Sequence, residues 1–535
     1  MPSRFSSEEW PWARLARFSP IPPPTLPSRR SVRAGVGPGL RADNCLPDSA
    51  SAKIPVRRHT PMIGDPSLLG APYDGSALIA DPIHEYITFT VPYSTPDPSE
   101  RTEKDLIDSP WVQRLRYIYQ LQSARWVYPS AEHSRFQHSL GVMHVAGRFA
   151  RHLYPSLATV VPDLPSINFI EELLRVTALV HDLGHGPFCH FFDANFLEQF
   201  GLTHEHIGQV LIRERLGKII RKIRRSPHGP FNPGEHLDPD HLAFLILKDP
   251  EKDSTRVPKW VAFLQPVIGG IYTADNLDYV LRDSYMCGVA VGPVDLTRLI
   301  HYTLITPKGL TIHRTGLPAL QMFLNTRLYL YSNVYYHRTT RAIDIHLREI
   351  FGDTMKYLFP YNPLDRLDAY LYLTDWSLME TVRHWPGDRS KAKRALGREW
   401  ARILGRDVKW KMAYNAFLPT RGDERGRTFI DQRTVEHRLR QALPPHLRKL
   451  DFRVDMANQD PRPLNLLNMG EFQIYVYDPA TRSISKEALK EFFDYLPARI
   501  VQFRIFAKDH STDAELARAA EKVLTSDGHS VKTNV

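Results

Sequence analysis

The segment from Phe169 to Asp193, FIEELLRVTALVHDLGHGPFCHFFD, limits this chain more than any other stretch. It is apolar enough to demand a place in a protein core, yet from Ala178 onward it carries three histidines and two aspartates. Burying such groups without partners is costly, whereas a bound metal or an anionic substrate gives them a reason to be there. On a helix His181 and His185, four apart, share one face, and Asp182 sits beside the first. Gly186-Pro187 then breaks the helix and lets His190 return toward the same place. The doublet alone is weak, because adjacent helical residues point about 100° apart. A capped helix end with hydrogen-bonded histidines reads the same way.

Other segments change that balance. EHSRFQHSLGV puts His133, Arg135 and His138 just ahead of an apolar helix, and THEHIGQVL puts His204, Glu205 and His206 at a helix start. TADNLDYVLRDS places Asp275, Tyr279 and Asp283 at i, i+4 and i+8, on one helix face. The order is His, then His-Asp, then a late Asp, each on its own helix. Two imidazoles and two carboxylates make a mixed N/O set suited to Fe, Mn, Zn, Co or Ni, with positions left for water or substrate. Arg135, His185, His190, His204 and Arg327 place cationic or donor groups around an anionic substrate.

Around this constellation the pattern is helical. LIDSPWVQRLRYIYQLQ has a helix start at Asp108-Ser109-Pro110, and LNTRLYLYSNVYYHRTTRAIDIHLREIF continues the theme, so most of residues 104–365 should be helix. Before it, Ile87, Phe89 and Val91 alternate with polar neighbours as a strand does. After about Asp368, TDWSLMETVRHW and DRSKAKRALGREWARIL read as amphipathic surface helices. FQIYVYD and IVQFRIF read as strands, and between them Leu489, Phe492, Phe493 and Leu496 have helical spacing. A strand-helix-strand unit suggests a small α+β lobe. The expected divisions are a tail over 1–61, a strand-containing segment over 62–103, a helical core over 104–365 and a C-terminal helical and α+β lobe over 366–535.

The net charge of +10 is mostly a property of the tail, whose 61 residues hold ten Lys or Arg against four Asp or Glu. Rich in Pro, Ser and Arg, the tail is expected to be disordered. A transit peptide fits its composition, but its proline density argues against an amphipathic helix; a dispensable extension with Met62 as the start is the favoured reading. Cys45, Cys189 and Cys287 make no disulfide framework, which suits a reducing compartment. No apolar run approaches the roughly 20 residues needed to span a bilayer, so a cytoplasmic protein without membrane contact is expected.

The order His138, His181-Asp182, Asp275 resembles the HD-domain metal phosphohydrolases. Within them, RFQHSLGV and HDLGHGPFCHFFD resemble the deoxynucleoside triphosphate triphosphohydrolases, the branch that includes the SAM-and-HD-domain enzymes, although no SAM domain is evident here. Cyclic-dinucleotide HD-GYP enzymes read HD-x-G-K at the doublet, where this chain has His185. The resemblance covers roughly residues 80–365 and implies a mainly α fold, an HD-domain helical core with a small α+β C-terminal lobe. It assigns His138, His181, Asp182 and Asp275 as metal ligands for Fe, Mn or Zn, with Mg accompanying the nucleotide. His204 becomes the catalytic histidine, oriented by Glu205; His185 and His190 contact the phosphates, and His190 is placed to protonate the departing sugar oxygen. Arg135 and Arg327 bind phosphate oxygens, while Gln120, Leu121, Tyr279, Asp283 and Tyr335 surround the deoxyribose. The implied reaction is hydroxide attack at the α-phosphorus of a dNTP, giving a deoxynucleoside and inorganic triphosphate.

The branch also implies a guanine-selecting activator pocket for GTP or dGTP at Asp108, Gln113 and Arg116, and assembly into a homodimer or tetramer. The chain departs from the pattern at Asn276, where a triphosphate-contacting Lys is usual, at Tyr331, where a nucleoside-contacting His is usual, and at Asn333, where an Arg is expected. The first two favour the alternative of a nucleoside monophosphate or nucleic-acid end as substrate. A binding protein for nucleotides or nucleic acid is the reading from another class. It draws on the tail and on RERLGKIIRKIRR (Arg213 to Arg225), which reads more simply as a solvated helix face.

Overall fold

The computed structural model describes residues 73–247, 257–290, 294–420, 432–459, 474–486 and 499–526. The tail and the helix expected at Leu489 to Leu496 lie outside them. An antiparallel hairpin comes first, β1 (Ser76–Asp81) with β2 (Glu85–Thr90), Ile79 opposite Ile87. Asp81 closes its turn by accepting from Ile83 N and His84 N at 2.9 Å each, an aspartate turn of the kind short polar side chains favour.

The expected helix start at Ser109-Pro110 is present. Ser109 caps α1 (Pro110–Arg114), which tightens at once into a 3-10 turn over Leu115–Tyr117. Helices α2 (Arg135–Val160) and α3 (Ile167–Val180) form the centre; Leu173, Leu174, Val176, Leu179 and Val180 are fully buried. At about 1.5–3 kcal/mol for each such side chain, α3 anchors the molecule. The turn after α3 meets α4 (His204–Leu211), and α5 (Ala274–Cys287) packs on α2 and is ended by Gly288 at φ +66°, the left-handed C-cap that glycine tolerates.

Next come β3 (Thr303–Thr306), β4 (Gly309–His313), α6 (Leu317–Leu330) and α7 (Arg338–Leu358). The sequence reads the last two as one helical run. Instead Tyr331–Tyr335 form a π turn, and the His337 side chain accepts from Thr339 N to start α7 afresh. Two helices expected on the surface, α8 (Asp375–Arg383) and α9 (Lys391–Leu404), bury Leu378, Val382, Trp400 and Ile403 in the same core as α2 and α3. Residues 367–403, grouped by sequence with the C-terminal lobe, therefore complete the main core.

After α9 come β5 (Lys411–Thr420), α10 (Gln432–Ala442), β6 (Phe452–Gln459), β7 (Tyr475–Asp478), β8 (Ser483–Ser485), β9 (Arg499–Ala507) and α11 (Asp513–Ser526). The two strands predicted at the C-terminus belong to different sheets. β7 pairs in parallel with β4 in the order β8-β7-β4-β3, and its Val476 joins the main core. β9 is the centre of an antiparallel sheet ordered β5-β9-β6, which has its own core of Tyr414, Leu439, Phe452, Phe503, Ile505 and Leu516. The fold is mainly α with this small α+β lobe, as expected. No helix among the described residues is long and apolar enough to cross a membrane.

Candidate metal centre and active site

Helix α3 stops at Val180, and His181 is its cap. The helix predicted through His185 is replaced by two turns, Leu183 N to Val180 O at 3.3 Å and His185 N to Asp182 O at 3.1 Å. The physical cause is Gly184, whose backbone lies against the His204 carbonyl and the Gly208 amide so closely that a Cβ would collide with both. This reversal turns Asp182 back, so that its Oδ1 lies 3.3 Å from both His181 Nε2 and His185 Nε2. Gly184→Ala is expected to lower stability by about 1–3 kcal/mol or more, as overpacking does, and to push His204 away. A thermal melt and the residual hydrolysis check the two effects.

His138, in the first turn of α2, and Asp275, in the first turn of α5, approach the doublet from the other side. The donor atoms of His138, His181 and Asp182 all lie within 4.8 Å of one another. Asp275 Oδ1 is 3.0 Å from His138 Nε2 and 3.8 Å from His181 Nε2. Donors about 2.0–2.2 Å from one ion are separated by roughly 3–4 Å, so His138, His181 and Asp182 fit a single divalent cation, with Asp275 outside that trio but near both of its histidines. The ring orientations fit too. His138 Nδ1 bonds Asp278 Oδ2 at 2.8 Å and His181 Nδ1 bonds Ala178 O at 2.6 Å, leaving both Nε2 atoms facing the site. Arg135 donates to Asp182 Oδ2 at 2.5 Å and to Cys189 Sγ. Burial works against ionised Asp182, but Arg135, His181 and His185 hold it well below the usual carboxylate range.

A second cluster adjoins the first. His185 and His204 stack with ring centroids 3.7 Å apart, and His190 stands edge-on to both. His204 Nδ1 bonds Asp193 Oδ2 at 2.6 Å, and Glu205 Oε1 is 3.2 Å from His204 Nε2. Both carboxylates thus flank His204, and Asp193, which opens a π turn, is the closer of the two. Burial, Arg135 and His204 push the fully buried His185 well below the usual imidazole range, so it is neutral.

The expected sugar-contacting residues gather in pairs. Arg327 Nε donates to the Tyr279 hydroxyl at 2.9 Å, and its NH1 has no hydrogen-bond partner among the described residues. Tyr335 donates to Asp283 Oδ2 at 2.6 Å, while His133 Nε2 bonds Asp283 Oδ1 at 2.8 Å. Leu121 packs with Tyr335 in a small cluster, and the Oε1 of buried Gln120 has no hydrogen-bond partner among the described residues. Tyr331 stands edge-on to Tyr335, and Asn276 donates to Ile271 O at 3.3 Å. At the expected activator segment, Gln113 and Arg116 meet at 2.7 Å and Arg116 lies 3.7 Å over the Phe136 ring, but Asp108 pairs with Lys104 instead. In the basic stretch, Arg213 pairs with Asp240, Arg215 with Asp368, and buried Arg225 with Glu100.

Sequence reasoning missed the support of His138. Asp278 is held by Arg282 at 2.9 Å through both oxygens and by His84 at 2.7 Å, and Arg282 also reaches Asp81 in the hairpin turn. Asp278 follows Asp275 by three residues and precedes Arg282 by four, a helix-face signal. Nothing local could have tied His84 to it, 194 residues away.

A helical core that gathers two histidines and two aspartates from three helices, beside a His–carboxylate pair, defines the class of metal-site phosphohydrolases. The HD domain model matches residues 135–254. The chain resembles the HD-domain superfamily and, within it, the deoxynucleoside triphosphate triphosphohydrolase branch. It is 30% identical over 291 residues to the uncharacterized protein YwfO of Bacillus subtilis, covering 53% of this chain and 58% of that one. To the deoxynucleoside triphosphate triphosphohydrolase SAMHD1 of Homo sapiens it is 28% identical over 342 residues, 58% of this chain and 51% of that one. The match thus spans little more than half the length of these relatives. A crystal structure of a hypothetical protein from Aquifex aeolicus superposes with a TM-score of 0.58 at 26% identity, covering 84% of this chain and all of that one.

Proposed function

We propose that the chain hydrolyses deoxynucleoside triphosphates to deoxynucleoside and inorganic triphosphate, with His138, His181, Asp182 and Asp275 holding a divalent metal. The observation that carries this reading is the convergence of those four donors, with both imidazole Nε2 atoms turned inward. The likeness to a deoxynucleoside triphosphate triphosphohydrolase supports the substrate class. When bound, Fe, Mn or Zn there supplies Lewis acidity and lowers the pKa of water toward neutrality.

The chain's own groups do the rest. Arg135, fixed by Asp182 and Cys189, and Arg327, with its unused NH1, present guanidinium groups to phosphate oxygens. Asp193 accepts a hydrogen bond from Nδ1 of His204 and leaves Nε2 to exchange a proton, with Glu205 3.2 Å from that nitrogen. His190, more than half exposed and bonded to Asp193 through Nδ1 at 3.3 Å, is the group assigned to protonate the departing sugar oxygen. His133 and Tyr335 hold Asp283 from both sides, and in this reading Asp283 reads the 3′-hydroxyl while the packed Tyr335 ring excludes a 2′-hydroxyl.

Incubation of the metal-loaded chain with each dNTP and each ribonucleotide, with and without GTP or dGTP, followed by ion-pair chromatography, tests the reading. Deoxynucleoside plus triphosphate is the expected product pair, with ribonucleotides left intact. Dependence on the guanine nucleotide would place an activator at Asp108, Gln113 and Arg116, which requires the Lys104–Asp108 pair to open. A second reading rests on Asn276, a neutral side chain committed to Ile271 O: if every dNTP stays intact while a nucleoside monophosphate loses phosphate, the substrate is the smaller ester.

A further inference from the structure

The bend from Gly184 to His190 carries two of the site's histidines on backbone that favours other conformations. Phe188 and Cys189 both have positive φ, 62° and 50°. Such a conformation is unfavourable for a non-glycine residue and persists where the surroundings over-determine it. The surroundings here come from residues far outside the bend. Buried Arg114, the last residue of α1, donates to His185 O at 2.6 Å and reaches back to Leu373 O at 2.7 Å and Tyr370 O at 3.2 Å. The Tyr370 hydroxyl donates to Gly184 O at 2.8 Å. These two hold the carbonyl side of the bend.

The amide side is held by one carboxylate. Asp375, the first residue of α8 and 1% exposed, accepts from Phe188 N through Oδ1 and from Tyr119 N through Oδ2, each at 3.0 Å. Phe188 lies between His185 and His190, and Tyr119 immediately precedes Gln120 and Leu121. A single side chain therefore joins the bend to the segment expected against the deoxyribose. Burial pushes this carboxyl up to about 6 against the pull of the two amides and of Arg125 and Arg135. A helix start needs no such burial, since Thr374 already caps α8.

We propose that Asp375, backed by Arg114 and Tyr370, is a positioning residue of this active site, locking the Phe188–Cys189 bend and coupling it to Tyr119–Leu121. The inference rests on the phosphohydrolase reading of the site. It puts part of the machinery at residues 114–121 and 370–375, outside the 135–254 stretch that the HD model matches.

The test compares the full chain with Asp375→Ala and Asp375→Asn, the latter keeping one acceptor oxygen and turning an NH2 toward the other amide. Amide hydrogen exchange is read at Phe188 and Tyr119 and, as reference, at Val145 and Phe149 in α2; kcat, KM and bound metal are measured alongside. In Asp375→Ala, exchange at Phe188 and Tyr119 is expected to speed by about tenfold or more while α2 stays protected. kcat is expected to fall by about 10–100-fold, the scale of an ångström-sized misplacement, with KM and metal content nearly unchanged and Asp375→Asn in between. Unchanged exchange at both amides overturns the proposal, and so does a rise shared equally by α2, which marks global loosening. If Asp375→Ala fails to fold, Asp375→Asn decides: faster exchange at one of the two amides supports the clasp and none refutes it. A wild-type chain that cleaves no nucleotide overturns the reaction reading alone; the amide exchange at Phe188 and Tyr119 still decides the positioning.

Discussion

Asp182→Ala is expected to bind no metal at stoichiometric loading and to lose hydrolysis by at least about a thousandfold. The metal's Lewis acidity and its activation of water amount to several kcal/mol of transition-state stabilisation, and each 1.36 kcal/mol is about a factor of ten in rate. Asp182 is also the buried partner of Arg135 and stands 3.3 Å from two imidazoles. Removing it leaves a guanidinium buried and unpaired, a loss of about 3–5 kcal/mol of stability where a buried pair is broken. Elemental analysis of the purified variant and its melting temperature check the two losses. Asp182→Ala with full metal content and near-normal turnover would sink the metal centre as placed. The double variant with Arg135→Met separates the effects, since removing the orphaned charge should restore much of the stability and none of the activity.

His204→Gln is expected to keep the metal and slow the reaction by about 10²–10⁴-fold, the range for losing a positioned acid or base. The amide side chain keeps volume and one hydrogen bond toward Asp193 but cannot carry a proton. His204 stacks on His185 and is gripped by Asp193 at 2.6 Å, so the fold should tolerate the change. Asp193→Asn should slow the reaction less, because it weakens the orientation of the ring without removing it. Steady-state kinetics with metal analysis separates these outcomes; equal rates in wild type and His204→Gln would remove His204 from the chemistry.

The elements of this fold were legible where a periodic apolar face coincides with a cap. Ser109-Pro110 starts a helix where the sequence signals one. Legibility failed where the backbone leaves a regular period. The end of α3 at Val180 depends on Gly184 meeting α4, and the break at Tyr331–His337 depends on a π turn. The partner of each C-terminal strand was equally hidden, because alternation specifies that a strand has two faces and says nothing of its neighbour. The site divides the same way. The residue types and the order His138, His181-Asp182, Asp275 were written in the sequence, and so were the histidines of the second cluster. Asp193 as the closer partner of His204, Asp278 with its hairpin support, and Asp375 beneath the bend were not.

What the sequence determined by itself is the chemistry on offer: imidazoles and carboxylates on separate amphipathic helices, and an apolar α3 that must be buried. What the tertiary structure decided is where those groups face. His181 and Asp182 would point about 100° apart on a continued helix, and they share one site because close packing of Gly184 on the His204 carbonyl ends the helix first. His138 presents Nε2 because Asp278, itself held by Arg282 and by His84 of the hairpin 194 residues away, bonds its Nδ1. Side-chain type is local information, whereas orientation is set by contacts between residues distant along the chain, and these exist only once the core has closed.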